Sequence, residues 1–243
     1  MKTNLENRTV LLTGAGGGIG QAIAVKLAAQ GMKTILFGGN NLEKLNKTRE
    51  IVEKHTSCLM LPGDLTDMEF LSSGVKKAVE KFGSIDVLIN NAGMTLNAPF
   101  EKVTVEDFDK LMTVNAKVPF FLTQNVIPYL KNSDMATIIN IASVVGHSGY
   151  PFQSIYSASK HAMLGMTKSI ASEYYKENIR VHAISPGGVY TDMVKISRPD
   201  LTPDGMIMPE EIADIVFFFL ANRGNAVVDE IIVHRVNKEP FLV

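Results

Sequence analysis

The 243-residue sequence predicts a doubly wound α/β fold, a parallel sheet of about seven strands flanked by helices. Three observations predict it. Short apolar runs alternate with longer stretches of helical period along the whole chain. The apolar runs are near-continuous, as expected of strands covered on both faces of a parallel sheet. The first run ends in a cluster of glycines that opens directly into a helical stretch. Strand and helix repeated in this order pack as one sheet with right-handed crossovers.

In chain order, residues 9–13 form the first strand and 19–30 the first helix, which stops before Gly31. Residues 33–37 and 42–55 give the next strand and helix. Residues 58–61 and 68–82 follow, with Gly83 where helices commonly end. Then come strand 85–90, a long helix 105–130, strand 137–141, helix 155–176, strand 180–185, helix 209–221 and strand 230–236. Residues 190–208 hold Pro and Gly and read as a loop that covers the substrate. Its Met193, Val194, Ile196, Met206 and Ile207 fit an apolar lid and equally an anchor to the core. No repeat or linker divides the chain, so residues 1–243 are expected to form a single domain.

Composition removes whole classes of function. Lys and Arg number 24 against 25 Asp and Glu, a net charge of -1. That leaves no global field for gathering nucleic acid or an acidic membrane. Cys58 is the only cysteine, which excludes an internal disulfide framework and a multi-cysteine metal site; no metal is expected. No apolar run approaches the roughly 18–20 residues that span a bilayer, and residues 1–9 lack the apolar stretch of a secretory signal. The expectation is a cytoplasmic globular protein.

The segment Thr13-Gly14-Ala15-Gly16-Gly17-Gly18-Ile19-Gly20 carries the strongest signal. Glycines permit a tight turn and close approach of backbone to a ligand. The free N–H groups and positive dipole end of the following helix then face a pyrophosphate. Placed after the first strand and before the first helix, the motif points to a dinucleotide.

Here the chain resembles the short-chain dehydrogenase/reductase family, in the glycine spacing of its compact members. The resemblance continues through Asp64-Leu65, Asn90-Asn91-Ala92-Gly93, Asn115, Ser143, Tyr156-x-x-x-Lys160 and Pro186-Gly187, in the family's order. It implies a Rossmann-type NAD(P)-binding domain. Gly14, Gly17, Gly18, Ile19 and Gly20 would face the diphosphate, and Asp64 beside Leu65 would bond the adenine. Asn91, Ala92 and Gly93 would line the cofactor. Pro186, Gly187, Val189 and Thr191 would turn over the nicotinamide, with the Val189 backbone and the Thr191 hydroxyl on its carboxamide. By the same resemblance Ser143 would hydrogen-bond the substrate oxygen and Tyr156 would exchange the proton. Lys160 would bind the nicotinamide ribose, and Asn115 would hold a water linking that lysine to solvent.

Spacing alone places Tyr156 and Lys160 one helical turn apart on a shared face. A free tyrosine, with a pKa near ~10, is a poor base at neutral pH. A cation at about 4 Å in an effective dielectric of about 20 favours the phenolate by about 4 kcal/mol. Burial opposes that shift. Ser143 closes the strand 137–141, and ligands of open α/β sheets bind at the carboxyl ends of strands. Asp86 and Asn90 flank their strand and are read as braces, His147 as pocket wall, and Cys58 as a small core residue.

The end of the second strand distinguishes NAD from NADP. Gly39 stands where NAD-preferring relatives carry aspartate, and Asn40 where many NADP-preferring ones carry arginine. With no carboxylate to repel a 2′-phosphate, the choice tilts slightly toward NADP. The sequence after 230 lacks the glycine-rich ending common in the family, so a tetramer or dimer is expected without that signature. The expected function is carbonyl–alcohol oxidoreduction of a 3-oxoacyl, sugar, polyol or other small ketone substrate. The alternative is a cofactor-sensing regulator or scaffold without turnover. An extended-type epimerase is excluded by the glycine spacing and by the chain's length.

Overall fold

The computed structural model describes residues 3–197 and 202–239. Seven strands form one sheet: β1 (Thr9–Thr13), β2 (Lys33–Phe37), β3 (Cys58–Leu61), β4 (Val87–Asn90), β5 (Thr137–Ile141), β6 (Arg180–Pro186) and β7 (Glu230–Val233). Their order is β3-β2-β1-β4-β5-β6-β7, and every pairing is parallel. The connections reverse direction between β1 and β4, and a crevice opens at the carboxyl ends of the strands there.

Among the described residues eight helices join the strands: α1 (Gly18–Ala28), α2 (Leu42–Val52), α3 (Met68–Phe82), α4 (Val105–Met112), α5 (Val118–Leu130), α6 (Ser154–Tyr174), α7 (Asp192–Ser197) and α8 (Pro209–Ala221). Successive strand residues point to opposite faces, so each apolar strand feeds two cores. Val10, Leu12, Leu36 and Ile139 pack with Ile23 and Leu27 of α1 and Val216 and Phe219 of α8. Leu11, Ile35, Phe37 and Ile138 pack with Leu71 and Val75 of α3 and Leu122 and Val126 of α5. Local chemistry sets the helix ends. The Asp67 side chain accepts from Glu69 N and Phe70 N, Gly83 closes α3 at φ 81, and Thr104 and Asp107 form a reciprocal capping box on α4.

Three sequence expectations need correction. Residues 105–130 are not one helix: the winding widens at Thr113–Lys117, where Val118 N donates to Thr113 O five residues back. Pro119 supplies the reason, since it has no N–H for the carbonyl four residues earlier, Asn115, and its ring crowds that carbonyl. Residues 190–208 are not simply a loop. They contain α7, with Asp192 in its first turn and Lys195 in its last, each sign matched to the helix dipole. Met206 and Ile207 are buried anchors rather than lid, and Tyr190 N donates to Ile207 O at 2.8 Å. The remainder of that expectation, residues 198–201 and the Ile196 side chain, lies outside the described residues, as do residues 240–243 of the unusual ending. Strand boundaries also shift: β4 begins at Val87, and β7 stops at Val233 rather than 236.

Asp86 and Asn90 are the expected braces. Asp86 accepts from Thr9 N at 2.8 Å and Ser133 Oγ at 2.5 Å. Asn90 Nδ2 donates to Asn140 Oδ1 at 2.8 Å, and Asn140 Nδ2 to Thr167 Oγ1 at 2.8 Å, tying β4, β5 and α6 together. Cys58 is half-buried on the edge strand, and burial pushes its thiol up to about 12, far from a reactive thiolate. Among the described residues no helix is long and apolar enough to cross a membrane.

Candidate active site

A cleft of about 300 Å³ lies at the carboxyl ends of β1, β4, β5 and β6. One wall is the glycine loop, and its glycines do different jobs. Gly14 has φ +70, and a Cβ there would stand 2.8 Å from Asn91 Nδ2. A Cβ on Gly20 would stand 2.1 Å from the Gly14 carbonyl oxygen. These two are demanded by how the loop folds on itself. Gly17 is in extended backbone, and a Cβ there meets nothing within 4 Å. It immediately precedes α1 and offers no side-chain cap, which leaves first-turn N–H groups available at the cleft. A cradle open at Gly17, ending on an uncapped helix N-terminus, fits a dinucleotide's diphosphate.

Asn91 braces this cradle. Its Nδ2 donates to Thr13 O at 3.0 Å and Gly14 O at 3.1 Å, while Asn91 N and Ala92 N donate to Thr13 Oγ1, each at 3.0 Å. Ala92 and Gly93 line the cleft beside it. Across the cleft run Pro186, Gly187, Val189 and Thr191, the Thr191 methyl against Gly18, where a Cβ would approach to 2.9 Å.

The reactive groups stand at the far end. Ser143 leaves β5 buried; its Oγ donates to Pro186 O at 3.3 Å and accepts from Val145 N at 3.4 Å. Tyr156, in the first turn of α6, lines the cleft together with Ser143. Burial holds its phenol above the ordinary value, and the neighbouring Ser143 hydroxyl draws it part of the way back. Lys160 is buried on the next turn and donates from Nζ to Ile141 O at 2.8 Å. Burial lowers its ammonium to about 8. This corrects the expected electrostatics. The cation is tethered to a strand carbonyl, and the tyrosine's shift is set by desolvation rather than by the lysine.

Asn115 sits behind the lysine, fully buried in the widened turn. Its Nδ2 donates to Met94 O and Ser159 Oγ and its Oδ1 accepts from Met94 N, all at 2.9 Å. These bonds use both Nδ2 protons, and Pro119, lacking an N–H, gives the Asn115 backbone carbonyl no donor four residues on. A Cβ on Gly93 would come within 3.3 Å of Asn115 Oδ1 and 3.7 Å of Lys160 Nζ. His147, read as pocket wall, is clasped instead: its Nε2 lies 2.6 Å from Glu230 Oε1, which also accepts from Ser185 Oγ at 2.5 Å. Glu230 thus holds the turn that follows Ser143 and the end of β6 whose Pro186 carbonyl receives the Ser143 hydroxyl.

Four of the expected cofactor residues, Gly39, Asn40, Asp64 and Leu65, are not among the residues lining this cleft and follow the neighbouring strands β2 and β3. Gly39 (φ +96) pairs its N–H with Gly63 O, and Asn40 is exposed. The Asp64 carboxylate accepts from Thr66 N and Thr66 Oγ1, both at 2.8 Å, which holds it below the usual carboxylate range. Leu65 packs over Gly38. Met193 and Val194, expected in the substrate-covering segment, do line the cleft, and Lys44, Met94 and Asp192 line it without having been singled out in the sequence. The one available signal was Lys44, a cation in the first turn of a helix, where the dipole disfavours it.

Comparison with known proteins agrees with this geometry. A family model described as short chain dehydrogenase matches residues 8–202. The chain is 36% identical over 241 residues to the 3-oxoacyl-acyl-carrier-protein reductase FabG of Thermotoga maritima, covering 94% of this chain and 96% of the relative. A short chain dehydrogenase from Mycobacterium paratuberculosis bound to NAD superimposes with a TM-score of 0.85 at 27% identity, over 96% of this chain and 97% of that one. The alcohol dehydrogenase of Thermococcus sibiricus, complexed with 5-hydroxy-NADP, does so with a TM-score of 0.88 at 25% identity, over 96% and 98%.

Proposed function

The chain belongs to the short-chain dehydrogenase family and is an NAD(P)-dependent oxidoreductase of carbonyl and alcohol groups; from that premise we propose that its reaction runs through Ser143, Tyr156 and Lys160, with Asn115 in support. The observation that carries the reading is that Ser143, Tyr156 and Lys160 line the same cleft as the glycine cradle.

When bound, the nicotinamide supplies or accepts the hydride at the substrate carbon. Ser143 holds the substrate oxygen in place. Tyr156 gives a proton to that oxygen in reduction and takes it in oxidation. With its phenol raised and Lys160 at about 8, both groups are protonated at neutral pH, the state that reduction requires. The Lys160 ammonium keeps positive potential in the cleft, and the Asn115 carbonyl offers a water site behind it for proton return.

Met94, Met193 and Val194 border the cleft, which favours an apolar substituent beside the carbonyl over a polyol. Gly39 leaves no carboxylate at the end of β2, in keeping with the tilt toward NADP. Since a single sheet carries the whole site, residues 1–243 are read as one domain. Val105, Phe108, Phe120 and Phe121 are exposed on α4 and α5, in keeping with a homo-oligomer, which light scattering would reveal as a multiple of 26.6 kDa.

The test is absorbance at the reduced-nicotinamide band with NADPH and then NADH against ketones, aldehydes, sugars and 3-oxoacyl thioesters. Turnover of a carbonyl with apolar flanks is expected. Cofactor binding with no turnover on any of them, or in cell extract, contradicts the reading and favours a sensor.

A further inference from the structure

The phosphates of a dinucleotide bring two negative charges to this cleft, and about four with a 2′-phosphate, while the chain as a whole carries a net charge of -1. Two cations stand among the cleft-lining residues, Lys160 and Lys44. Lys160 is engaged: it is buried with Nζ on the Ile141 carbonyl.

Lys44 is placed differently. Its backbone is fixed by the α2 cap, where Asn41 Oδ1 accepts from Lys44 N at 2.9 Å. Its Cβ stands against the glycine loop, 3.4 Å from where a Cβ on Gly16 would be. Its side chain is about half exposed and reaches across to α7, where Nζ meets Asp192 Oδ2 at 2.7 Å. Asp192 lines the same cleft, and its carboxyl is held below the usual range first by Lys44. It has a second cation on its other oxygen, Lys195 Nζ at 3.8 Å from Oδ1. Lys195 also lies 4.7 Å from the Tyr190 ring. Local helix physics gives no reason for a cation at this position of α2, since the dipole disfavours it.

We propose that Lys44 is the side chain that binds a phosphate of the nicotinamide dinucleotide, and that Asp192 holds its ammonium over the cleft until the phosphate takes the carboxylate's place. The inference rests on the dinucleotide-binding reading above. The Lys44–Asp192 pair is about half exposed and costs little to open, the charge-assisted contact to phosphate is the stronger of the two, and Asp192 keeps Lys195 as counter-ion afterwards. The phosphate is either the diphosphate common to both cofactors or the 2′-phosphate of NADP; the recognition chemistry is the same.

Dissociation constants for NADH, NADPH and ADP-ribose, measured by calorimetry on wild type, Lys44→Gln, Lys44→Arg and Asp192→Asn, test this. Losing a charge-assisted hydrogen bond predicts about 10-fold or greater weakening in Lys44→Gln, with Lys44→Arg restoring most of it. Asp192→Asn is expected to bind about 3-fold tighter, because the ligand no longer displaces a carboxylate. Equal loss for all three ligands assigns the diphosphate, and loss for NADPH alone assigns the 2′-phosphate. Should Lys44→Gln fail to fold, Asp192→Asn decides alone. Unchanged affinities in a folded Lys44→Gln, or an Asp192→Asn no tighter than wild type, overturn the proposal. A wild-type protein that binds none of the three ligands instead overturns the dinucleotide reading beneath it.

Discussion

Replacing Lys160 by methionine keeps the length and removes the charge, and the structure says how the change should depend on pH. Burial lowers the ammonium from an unfolded value of 10.5 to about 8, which at 1.36 kcal/mol per unit is a charging penalty of about 3 kcal/mol. The residue is 4% exposed, so solvent screening does not discount it. Below pH 8 the lysine is charged in both folded and unfolded chains, and the folded state bears the full penalty. Between pH 8 and 10.5 the folded chain releases its proton first, so stability rises with pH; above 10.5 the penalty is gone. The methionine variant has no such term, but it leaves the Ile141 carbonyl without its donor, a pH-independent cost of about 1–3 kcal/mol. The two effects nearly cancel at pH 7, and absolute stability there is a poor test. The difference between the two proteins is a good one. Urea unfolding of cofactor-free wild type and Lys160→Met at pH 7 and pH 10 should show wild type gaining about 2–3 kcal/mol on the variant. A difference that stays flat across that range would refute the buried, depressed lysine.

Other expectations follow from the same geometry. Gly17→Ala adds a methyl in open space, so its unfolding midpoint should match wild type while NADPH affinity falls; Gly20→Ala drives a Cβ into the Gly14 carbonyl and should lose about 1–3 kcal/mol of stability by denaturant unfolding. Should both variants lose only stability, or only affinity, the division of labour in the loop is wrong. Glu230→Ala releases the clasp on both sides of Ser143 and should lower kcat about 10-fold or more with cofactor Kd nearly unchanged, whereas Glu230→Gln, which keeps an acceptor for Ser185, should recover much of it. Steady-state kinetics on the two variants would expose the error if Glu230→Ala turned over normally.

How much of this was legible in sequence depends on the range of the interaction. The strands announced themselves because parallel strands covered on both faces are apolar throughout, as at Val10–Leu12 and Ile138–Ile139. The Tyr156–Lys160 spacing and the glycine loop are local patterns and needed only the helix period and backbone sterics. What stayed hidden is either subtler than a period or distant in the chain. The widened turn at Asn115 displaces one hydrogen bond inside an otherwise continuous helical stretch, and Pro119 was its only trace. Lys160 faces the helical side expected of it, but its tie to the Ile141 carbonyl depends on a strand placed 19 residues earlier. The Lys44–Asp192 pair joins residues 148 apart and has no periodic signature. Asp64, expected at the adenine by its place after β3, also uses one carboxylate oxygen to accept from Thr66 and close its own turn, a second role that sequence did not show.

The central claim is that Tyr156 carries the proton in a nicotinamide-dependent reaction, and Tyr156→Phe tests it most directly. The substitution removes one hydroxyl and leaves the ring, so the cleft and its cradle are preserved. NADPH oxidation with the best carbonyl substrate, measured beside NADPH Kd, should show kcat reduced by at least about 10²-fold, the scale of a lost general acid, and a Kd within about 3-fold of wild type. Undiminished turnover in Tyr156→Phe would contradict the account at its centre.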